Sequence, residues 1–546
     1  MSEEDTDTDS NSRMKKLLGV PLLFLVGFGL LVAVSPFIKP IVYLLYTQIW
    51  IVELSFIMLL ASFLMYRKWK TNLGDDPSQH EINDLRETAF SFFLTGMVLS
   101  VVIVGVLMGI ASNHAMGQET IGSATTIDEM YEGDADRPRV VTRAQAERWA
   151  SGSLQSSQFQ SSGNAIVVRN NTTYWGSNLV PDGSLRNTLA EKQNGTVLVN
   201  AETFQKDVTV IRGDMRVGRG MQIRDNYQWK LNHVLSDGPW MVNYHDNNIR
   251  PIVHEGEQYL MVPYTRPHHH LLPLTYSHPQ EGGVALIHQN GSINHYTLEQ
   301  AQDVDALDGQ PLMPSRLVRQ QVSATTYRAG IVDTLPVIGG HEQTISIASV
   351  PGEDNQQPFY FQTAENGAQY VTAAEPTGNT QGLRELWFTD VRTGESVYYS
   401  SNGSSTLYGP RKSADFVVDA NDRTDWERFS PSEPIPTVVE GQLYWQFRVV
   451  QDGGGGITFI SLVNADSQSV TNIDDTEGTE ALSAFMRGED LTDIPDTNVT
   501  DETPDNNRNP TIVMERLNEN GEVVETMYIY ENETVVTRDY QNNSQE

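Results

Sequence analysis

Residues Phe90–Ile110 form an uncharged apolar segment that constrains the fold of this 546-residue chain more than any other stretch. The segment reads FSFFLTGMVLSVVIVGVLMGI, and about 20 apolar residues suffice to cross the hydrocarbon core of a bilayer as a helix. More than 400 residues follow it without another apolar run of that length. The side of the membrane on which this segment ends therefore determines where most of the chain lies.

Two further apolar segments precede it, so the sequence predicts an α-helical membrane module of three transmembrane helices over residues 17–110. The first segment is Leu17–Val34, which follows an acidic tail (residues 1–16) for which we expect disorder. The second lies within Ile41–Tyr66. Ser35–Pro40, between the two, predicts a tight turn because its prolines stop one helix and open the next.

Basic residues flank the three segments unevenly. They lie before the first segment and between the second and the third: Arg13, Lys15, Lys16, Arg67, Lys68, Lys70 and Arg86. The first turn carries only Lys39, and the next basic residue after Ile110 is Arg137. Because cytoplasmic loops are enriched in Lys and Arg, the pattern predicts a multi-pass protein of the cell membrane. Its N-terminus would be cytoplasmic and residues 111–546 extracellular.

Two features inside the predicted membrane module invite a functional interpretation. Glu53 lies in the second apolar segment, and a carboxylate inside a bilayer is a candidate functional site. The alternative is that the helix starts near Trp50, which would leave Glu53 at the outer interface. Gly105 and Gly109 have a spacing that lets two helices approach closely, so they are a candidate contact between copies of the chain in a homo-oligomer.

The charge balance limits the environment and the partners. Asp and Glu number 70 against 37 Lys and Arg, a formal net charge of −33, and only nine of the basic residues are Lys. An acidic surface with little Lys suits near-saturated salt, where screening removes most of the self-repulsion. We therefore expect an extremely halophilic archaeon or one of its viruses, with an ordinary acidic surface domain as the alternative. Nucleic acid is not expected as a partner, and the absence of Cys excludes disulfides and Cys nucleophiles.

The sequence after the membrane module predicts a large, β-rich α+β ectodomain with mostly antiparallel sheet. Thr142–Gln158 predicts a helix capped by Thr142, and Thr297 with Gln300 predicts a capping box. From Asn164 onward, alternating Val, Ile, Tyr and Thr broken by turn residues predict strands. The predicted divisions are a juxtamembrane spacer and helix (111–160), a first α+β ectodomain (161–335), a second one (336–471), an acidic linker (472–509) and a C-terminal β-meander (511–538).

Four short apolar segments resemble one another, and each ends in a polar turn. They are Gly195–Thr203, Gly283–Gly291, Leu386–Glu395 and Gly456–Ser467. In the third segment, the turn residues Asp390, Thr393, Gly394 and Glu395 resemble the turn of PepSY-type extracytoplasmic repeats, and Asn464–Ser467 is a looser match. The resemblance implies a helix packed on an antiparallel sheet within 336–471, used for binding or inhibition rather than catalysis. Ordinary β-hairpins explain the same turn residues equally well.

Nine of the twelve histidines fall between His233 and His295, among them the triplet His268, His269 and His270. Imidazole is a common ligand of zinc, nickel and copper, so the triplet is a candidate metal site. Consecutive residues in an extended segment point in different directions, however, and solvated histidines in a loop are the alternative. We expect no cofactor other than this candidate metal ion.

The sequence contains no nucleophile elbow, P-loop or dinucleotide-binding motif. It therefore favours a membrane-anchored binding or structural protein of a cell or virion surface over an enzyme. The expected partners are the lipid membrane and other envelope or surface proteins. A non-catalytic subunit of an envelope transport or secretion complex and an extracellular metal-dependent hydrolase are the two alternatives.

Overall fold

The structure of the protein is a computed structural model that divides into two compact units, residues 1–491 and 492–546. It describes residues 27–72, 78–154, 159–182, 193–221, 225–271, 273–334, 344–352, 355–378, 382–401, 407–451, 456–474, 478–489, 512–517 and 523–529. Both predicted ectodomains belong to the first unit. The predicted acidic tail and most of the predicted linker lie outside the described residues.

The helices of the first unit fall into an apolar group and a group packed on sheets. The apolar group comprises α1 (Gly27–Ala33), α2 (Ser35–Thr47), α3 (Ile49–Asn72) and α4 (Gln79–Ser123). The second group comprises α5 (Arg143–Gly152), α6 (Tyr227–Asn232), α7 (Leu298–Gln302), α8 (Ser315–Ala324), α9 (Pro410–Ala420) and α10 (Gly478–Met486). Thr142 caps α5 through the backbone N–H of Gln145, and Thr297 with Gln300 forms the predicted capping box of α7.

Two of these helices, α3 and α4, are long and apolar enough to cross a membrane. The pair α1 and α2 together would make a third crossing, but the two helices are bent by 80° relative to each other. The described residues therefore contain two or three candidate spans.

The predicted tight turn at Ser35–Pro40 is wrong, because these residues form the first half of α2. The chain changes direction one residue earlier, at Val34. Pro36 lies in the first turn of α2, where a backbone N–H has no acceptor within the helix and its loss costs little. A proline pair that predicts a turn thus starts a helix here, with Pro40 inside it.

The third apolar segment is the middle of a helix that is much longer than the segment itself. Ser78 and Glu81 form a capping box at the start of α4, which then continues without interruption to Ser123. We expected a spacer from residue 111, but residues 111–123 are the last turns of this helix. They are held in place by packing, since Met116, Gly117 and Thr120 are buried.

In the described part of the chain the strands form four sheets in the first unit and one hairpin in the second. Their bounds are β1 Thr125–Ile127, β2 Phe159–Arg169, β3 Thr172–Pro181, β4 Gln193–Asn200, β5 Val208–Met215, β6 Asn243–Tyr244, β7 Arg250–His254, β8 Glu257–Leu271, β9 Thr275–His288, β10 Ile293–Tyr296, β11 Ile345–Ile347, β12 Phe359–Gln362, β13 Ala368–Pro376, β14 Glu385–Asp390, β15 Ser396–Ser400, β16 Phe429–Val439, β17 Gln442–Gln451, β18 Ile457–Asn464, β19 Val470–Asp474, β20 Ile512–Leu517 and β21 Val523–Ile529.

The sheets are largely antiparallel meanders. Their strand orders are β2-β3-β4-β5, β10-β9-β8-β6 with β7 also on β8, β1-β15-β14-β13-β11 with β12 also on β13, β16-β17-β18-β19 and β20-β21. The pairing of β1 with β15 is parallel. Of the predicted C-terminal meander, β20 and β21 are present, and its last strand lies outside the described residues.

One architectural unit, a helix followed by a meander, occurs four times in the first unit. The four units are α5 with β2–β5, α6 with β7–β10, α8 with β12–β15, and α9 with β16–β19, and the short β11 adds to the third unit by pairing with β13. Each helix packs apolar side chains on its own sheet, as Leu231 of α6 does on the sheet of β8 and β9. The four similar segments found in the sequence are the third strand of each meander and the turn that follows it.

Backbone hydrogen bonds tie the helix start of three units to the end of the third strand. The residue next to each helix N-cap donates its N–H to the carbonyl of the residue just after the strand: Val141 to Ala201 (3.1 Å), Met313 to Val391 (2.8 Å) and Tyr408 to Ala465 (2.7 Å). The residue that donates this N–H also accepts a hydrogen bond, through its own carbonyl, from an aromatic side chain of the second strand. The donors are Trp175 (2.9 Å), Tyr370 (3.4 Å) and Trp445 (2.9 Å), respectively.

The turn with the PepSY-like residues is an Asx turn that closes the β14–β15 hairpin. Asp390 Oδ1 accepts the backbone N–H groups of Arg392 (2.8 Å) and Thr393 (2.7 Å). Gly394 has a φ of +80°, which glycine adopts without steric cost. Asn464 Oδ1 accepts two backbone N–H groups in the same way at the end of β18. The side-chain chemistry inferred from the sequence is therefore present in both turns.

Replacing Asp390 by Ala should lower the free energy of unfolding by about 1 kcal/mol, because two backbone N–H groups lose their acceptor. The matched control is Asp390→Asn, which removes the charge but keeps the accepting oxygen and should stay close to the parent protein. Denaturant unfolding of the full chain in detergent micelles measures both. Equal losses in the two variants would show that the charge, not the turn, is what matters.

Candidate functional site

The β8–β9 hairpin is the element of the β-rich part that contacts all three of α2, α3 and α4. Its strands have 15 and 14 residues, longer than those of the other described hairpins. Near the hairpin end, Leu271 pairs with Thr275 and His270 with Tyr276. This distal half contacts α2, α3 and α4, and the residues there include most of the candidates from the sequence.

Glu53 of α3 binds directly to the end of the hairpin. Its carboxylate accepts a hydrogen bond from the backbone N–H of Thr275 (2.8 Å) and another from the Thr275 hydroxyl (2.6 Å). Leu274 and Tyr276, on either side of Thr275, pack against the cluster of Trp50, Leu54 and Met108 on α3 and α4. The contact therefore combines hydrogen bonds to a charged acceptor with apolar burial.

Further along β9, Ser277 links the hairpin to two more helices. Its hydroxyl donates to the carbonyl of Thr47 at the end of α2, and its carbonyl accepts the hydroxyl of Ser112 in α4, both at 2.8 Å. A cavity of about 390 Å³ lies beside these bonds and is lined by residues of α2, α4, the hairpin and α8, including Tyr43, His278 and Arg319. The three helices and the hairpin thus meet at one junction.

The structure separates the three histidines of the predicted metal site. His268 and His270 lie on one face of β8 and stack with His278 of β9, at ring-centroid distances of 4.7 to 5.3 Å. His269 lies on the opposite face, against the ring of Tyr46. Alternation of side chains along a strand separates the triplet in this way, and stacked rings do not direct their nitrogens at one point. No group of three or more His, Asp or Glu in the described part of the chain is arranged to hold a metal ion.

The stacked histidines connect the hairpin to the protruding end of α4. His270 Nε2 lies 3.2 Å from His278 Nδ1, and His278 Nε2 lies 2.8 Å from a carboxylate oxygen of Glu119. Gln280 donates a hydrogen bond to the other oxygen of Glu119.

Burial lowers the pKa of His278, and Glu119 opposes that shift in part. The pKa of His270 and that of His269 are lowered as well, with burial again the larger cause. Neutral rings can stack without charge repulsion.

Helix α2 meets the β-rich part through one face and leaves its other face uncovered. Lys39, which is 4 % exposed, donates to Asn232 Oδ1 (2.7 Å) and lies 4.5 Å from the centroid of the Tyr244 ring. Ser35 Oγ accepts the backbone N–H of Val234 (3.1 Å). The uncovered face carries Phe37, Ile41, Leu44 and Leu45, which are 41 to 70 % exposed.

The end of α4 contacts α8 without space between the backbones. A Cβ atom at Gly117 would collide with the carbonyl oxygen of Ala324, the last residue of α8. Gln118 donates from its side-chain amide to the carbonyls of Tyr327 and Arg328, both at 3.3 Å. Glycine at position 117 is therefore required by close approach, and α4 is joined to two of the four units.

The two glycines of the predicted helix contact have different surroundings. A Cβ atom at Gly105 would touch the ring of Trp50 in α3 of the same chain, whereas one at Gly109 would meet nothing within 4 Å. Gly105 thus already serves a contact between α3 and α4. Self-association through this pair stays a prediction.

The structure brings Glu53 and the histidines to the same junction, which the sequence did not indicate. Their partners Thr275 and Glu119 were also missed, as was Asn232, the partner of Lys39, because these are ordinary polar residues more than 150 positions away from the residues they contact. No protein-family model, no curated protein and no solved structure matches the chain. The function of the junction is therefore argued from its contacts.

Replacing Glu53 by Ala and Thr275 by Val should give non-additive losses of stability, with a coupling energy within the range of about 0.5–3 kcal/mol found for residues in contact. The reason is that each variant removes one side of the same hydrogen bond. A double-mutant cycle on thermal unfolding of the full chain in detergent micelles measures it. The matched control pairs Glu53→Ala with Thr71→Val, at the other end of α3, and should be additive. Equal coupling in both cycles would contradict the docking.

Proposed function

We propose that the protein is a membrane-anchored binding or structural protein of a cell or virion surface, whose β-rich part is held rigidly against the membrane. The observation that carries the proposal is the docking of the β8–β9 hairpin on α2, α3 and α4. Hydrogen bonds from all three helices and an apolar cluster join them to the β-rich part, so the connection is a packed interface and not a single linker. Such a connection suits a domain that must hold a fixed position relative to the bilayer.

The arrangement of charges on α3 supports the extracellular placement of the β-rich part. Glu53, which contacts the hairpin, is 17 residues before Lys70, a separation of about 26 Å along a helix. That distance is close to the thickness of the hydrocarbon core, about 30 Å. Glu53 then lies at one interface, and Arg67, Lys68 and Lys70 lie at the other, which the positive-inside pattern makes cytoplasmic.

We also propose that α2 lies in the plane of the outer interface. The 80° bend at Val34 turns α2 away from the direction of α1. One face of α2 contacts the β-rich part, and the apolar face with Phe37, Ile41 and Leu44 is uncovered and suited to lipid. The three crossings would then be residues 17–34, α3 and α4.

Two further parts of the proposal rest on composition and on the repeated unit. The net charge of −33 supports a surface adapted to concentrated salt, hence a haloarchaeal cell or virus. The helix on an antiparallel meander, with an Asx turn after its third strand, supports the PepSY-like interpretation of Asp390–Glu395 and with it a binding role. Other envelope or surface proteins are the proposed partners.

The chain contains no Cys, so single Cys variants can report its orientation. Asp303→Cys, in the β-rich part, should react with a membrane-impermeant maleimide on intact cells. Lys70→Cys should react only after the membrane is permeabilised, because the proposal places it in the cytoplasm. Both positions are exposed in the structure, so reactivity reports the side of the membrane.

Labelling of Lys70→Cys but not Asp303→Cys on intact cells would contradict the proposed orientation. A third variant, Ile41→Cys, tests the placement of α2. It is 62 % exposed in the structure but should remain unlabelled on both sides of an intact membrane, because lipid covers it. Detergent should make it reactive.

The thermal unfolding midpoint of the full chain should rise between about 0.1 M and 1 M KCl, where the Debye length falls from about 10 Å to about 3 Å. Screening of the acidic surface is the cause. Glycerol, which does not screen charges, serves as the control. A midpoint that stays constant over this range would contradict adaptation to high salt and leave the orientation result untouched.

A further inference from the structure

A cavity of about 620 Å³ lies where the four helix–meander units meet, and five arginines line it. The lining comes from parts of α5, β2, β3, β7, α8, β12, β13 and β16. The arginines are Arg139, Arg143, Arg250, Arg316 and Arg319. Such a concentration of positive charge is unexpected in a chain with 70 acidic and 37 basic residues.

Only one carboxylate, Glu433, lines this cavity among the described residues. It forms a buried ion pair with Arg139, with 2.7 Å between Arg139 Nη2 and Glu433 Oε2. Its other oxygen accepts the backbone N–H of Arg143 (2.9 Å). Glu433 therefore balances one of the five guanidinium groups, and four positive charges of the lining have no carboxylate in the wall.

The two buried arginines of the lining, Arg139 and Arg250, also carry N–H groups that no carboxylate accepts. Arg250 is 1 % exposed, and its three nitrogens donate to neutral acceptors, the carbonyls of Ile166 and Asn248 and the hydroxyl of Tyr370. The side chain of Arg139 is 5 % exposed, and its Nε has no hydrogen-bond partner in the described part of the structure. A buried donor without an acceptor is costly, and an anion in the cavity would supply one.

The start of α8 adds backbone donors to the same wall. This helix follows Pro314, has no side-chain cap and has no acidic residue in its first turn. Ser315, Arg316 and Arg319, on its first two turns, line the cavity. The free N–H groups and the dipole of a helix N-terminus favour a negative charge there. Guanidinium forks and helix N–H groups together are the usual protein ligands of phosphate and carboxylate.

We propose that this cavity binds a small organic anion with at least two negatively charged oxygen groups, either phosphate or carboxylate. Its volume is within the range of pockets that enclose small ligands. The aromatic rings of Trp175, Phe359 and Tyr360 form another part of the lining and can pack against the carbon skeleton of such a ligand. The proposal goes beyond the proposed function, and it does not depend on the side of the membrane that the cavity faces.

The test is isothermal titration calorimetry on the full chain in detergent micelles at constant KCl, with pyrophosphate for the phosphate arm and citrate for the carboxylate arm. Glucose is the neutral control. The variants are Arg316→Gln and the double variant R143Q/R316Q, both at exposed positions, so folding should persist. The control matched in charge to Arg316→Gln is Arg423→Gln, which changes an exposed arginine after α9 that is not part of the cavity lining.

The expected result is saturable binding of pyrophosphate or citrate that weakens at least about tenfold in R143Q/R316Q, as the loss of a charge-assisted hydrogen bond predicts. Arg423→Gln should bind as the parent does, and Arg316→Lys should retain most of the affinity. The arm that binds identifies the anionic group. Absence of binding to both probes, or equal binding by R143Q/R316Q and Arg423→Gln, would overturn the proposal without bearing on the membrane orientation.

Discussion

Two hydrogen bonds from Thr275 to the carboxylate of Glu53 hold the β-rich part of the chain to its apolar helices. Both are bonds to a charged acceptor, which are stronger than bonds between neutral groups, and the apolar cluster of Trp50, Leu54 and Met108 beside them limits access of water. The other contacts of the junction follow from this position. With the end of the hairpin held at α3, the strands place Ser277 at α2 and α4 and His278 at Glu119.

The β-rich part is built by repetition, and the repeated feature is a backbone connection more than a sequence motif. In three units a residue beside the helix start donates to the carbonyl after the third strand and accepts from an aromatic donor of the second strand. Tyr370 does with a hydroxyl what Trp175 and Trp445 do with an indole N–H. In the second unit Leu260 has the corresponding register position and offers no donor. Different side chains can thus serve one backbone arrangement, which explains why the similarity in sequence is weak.

Local features were predictable from the sequence, and features that depend on distant contacts were not. The caps at Thr142 and Thr297 and the turn at Asp390–Glu395 are set by residues within a few positions of one another. The extension of α4 to Ser123 depends on contact with α8, about 200 residues later, and the helical state of Ser35–Pro40 depends on contact with residues near 234. The arginines of the cavity come from positions 139 to 319, and their convergence follows from the packing of three units.

The unbroken course of α4 has a mechanical consequence. A helix of 45 residues is about 68 Å long, more than twice the thickness of the hydrocarbon core, and α4 contains no proline at which it would bend. Transmembrane helices adjust to a thinner bilayer by tilting. Since Gly117 leaves no space between α4 and the end of α8, a tilt of the membrane part must displace α8, which also lines the arginine-rich cavity. With α4 crossing the bilayer as proposed, the thickness of the surrounding lipid would act on the arginine-rich cavity through α8.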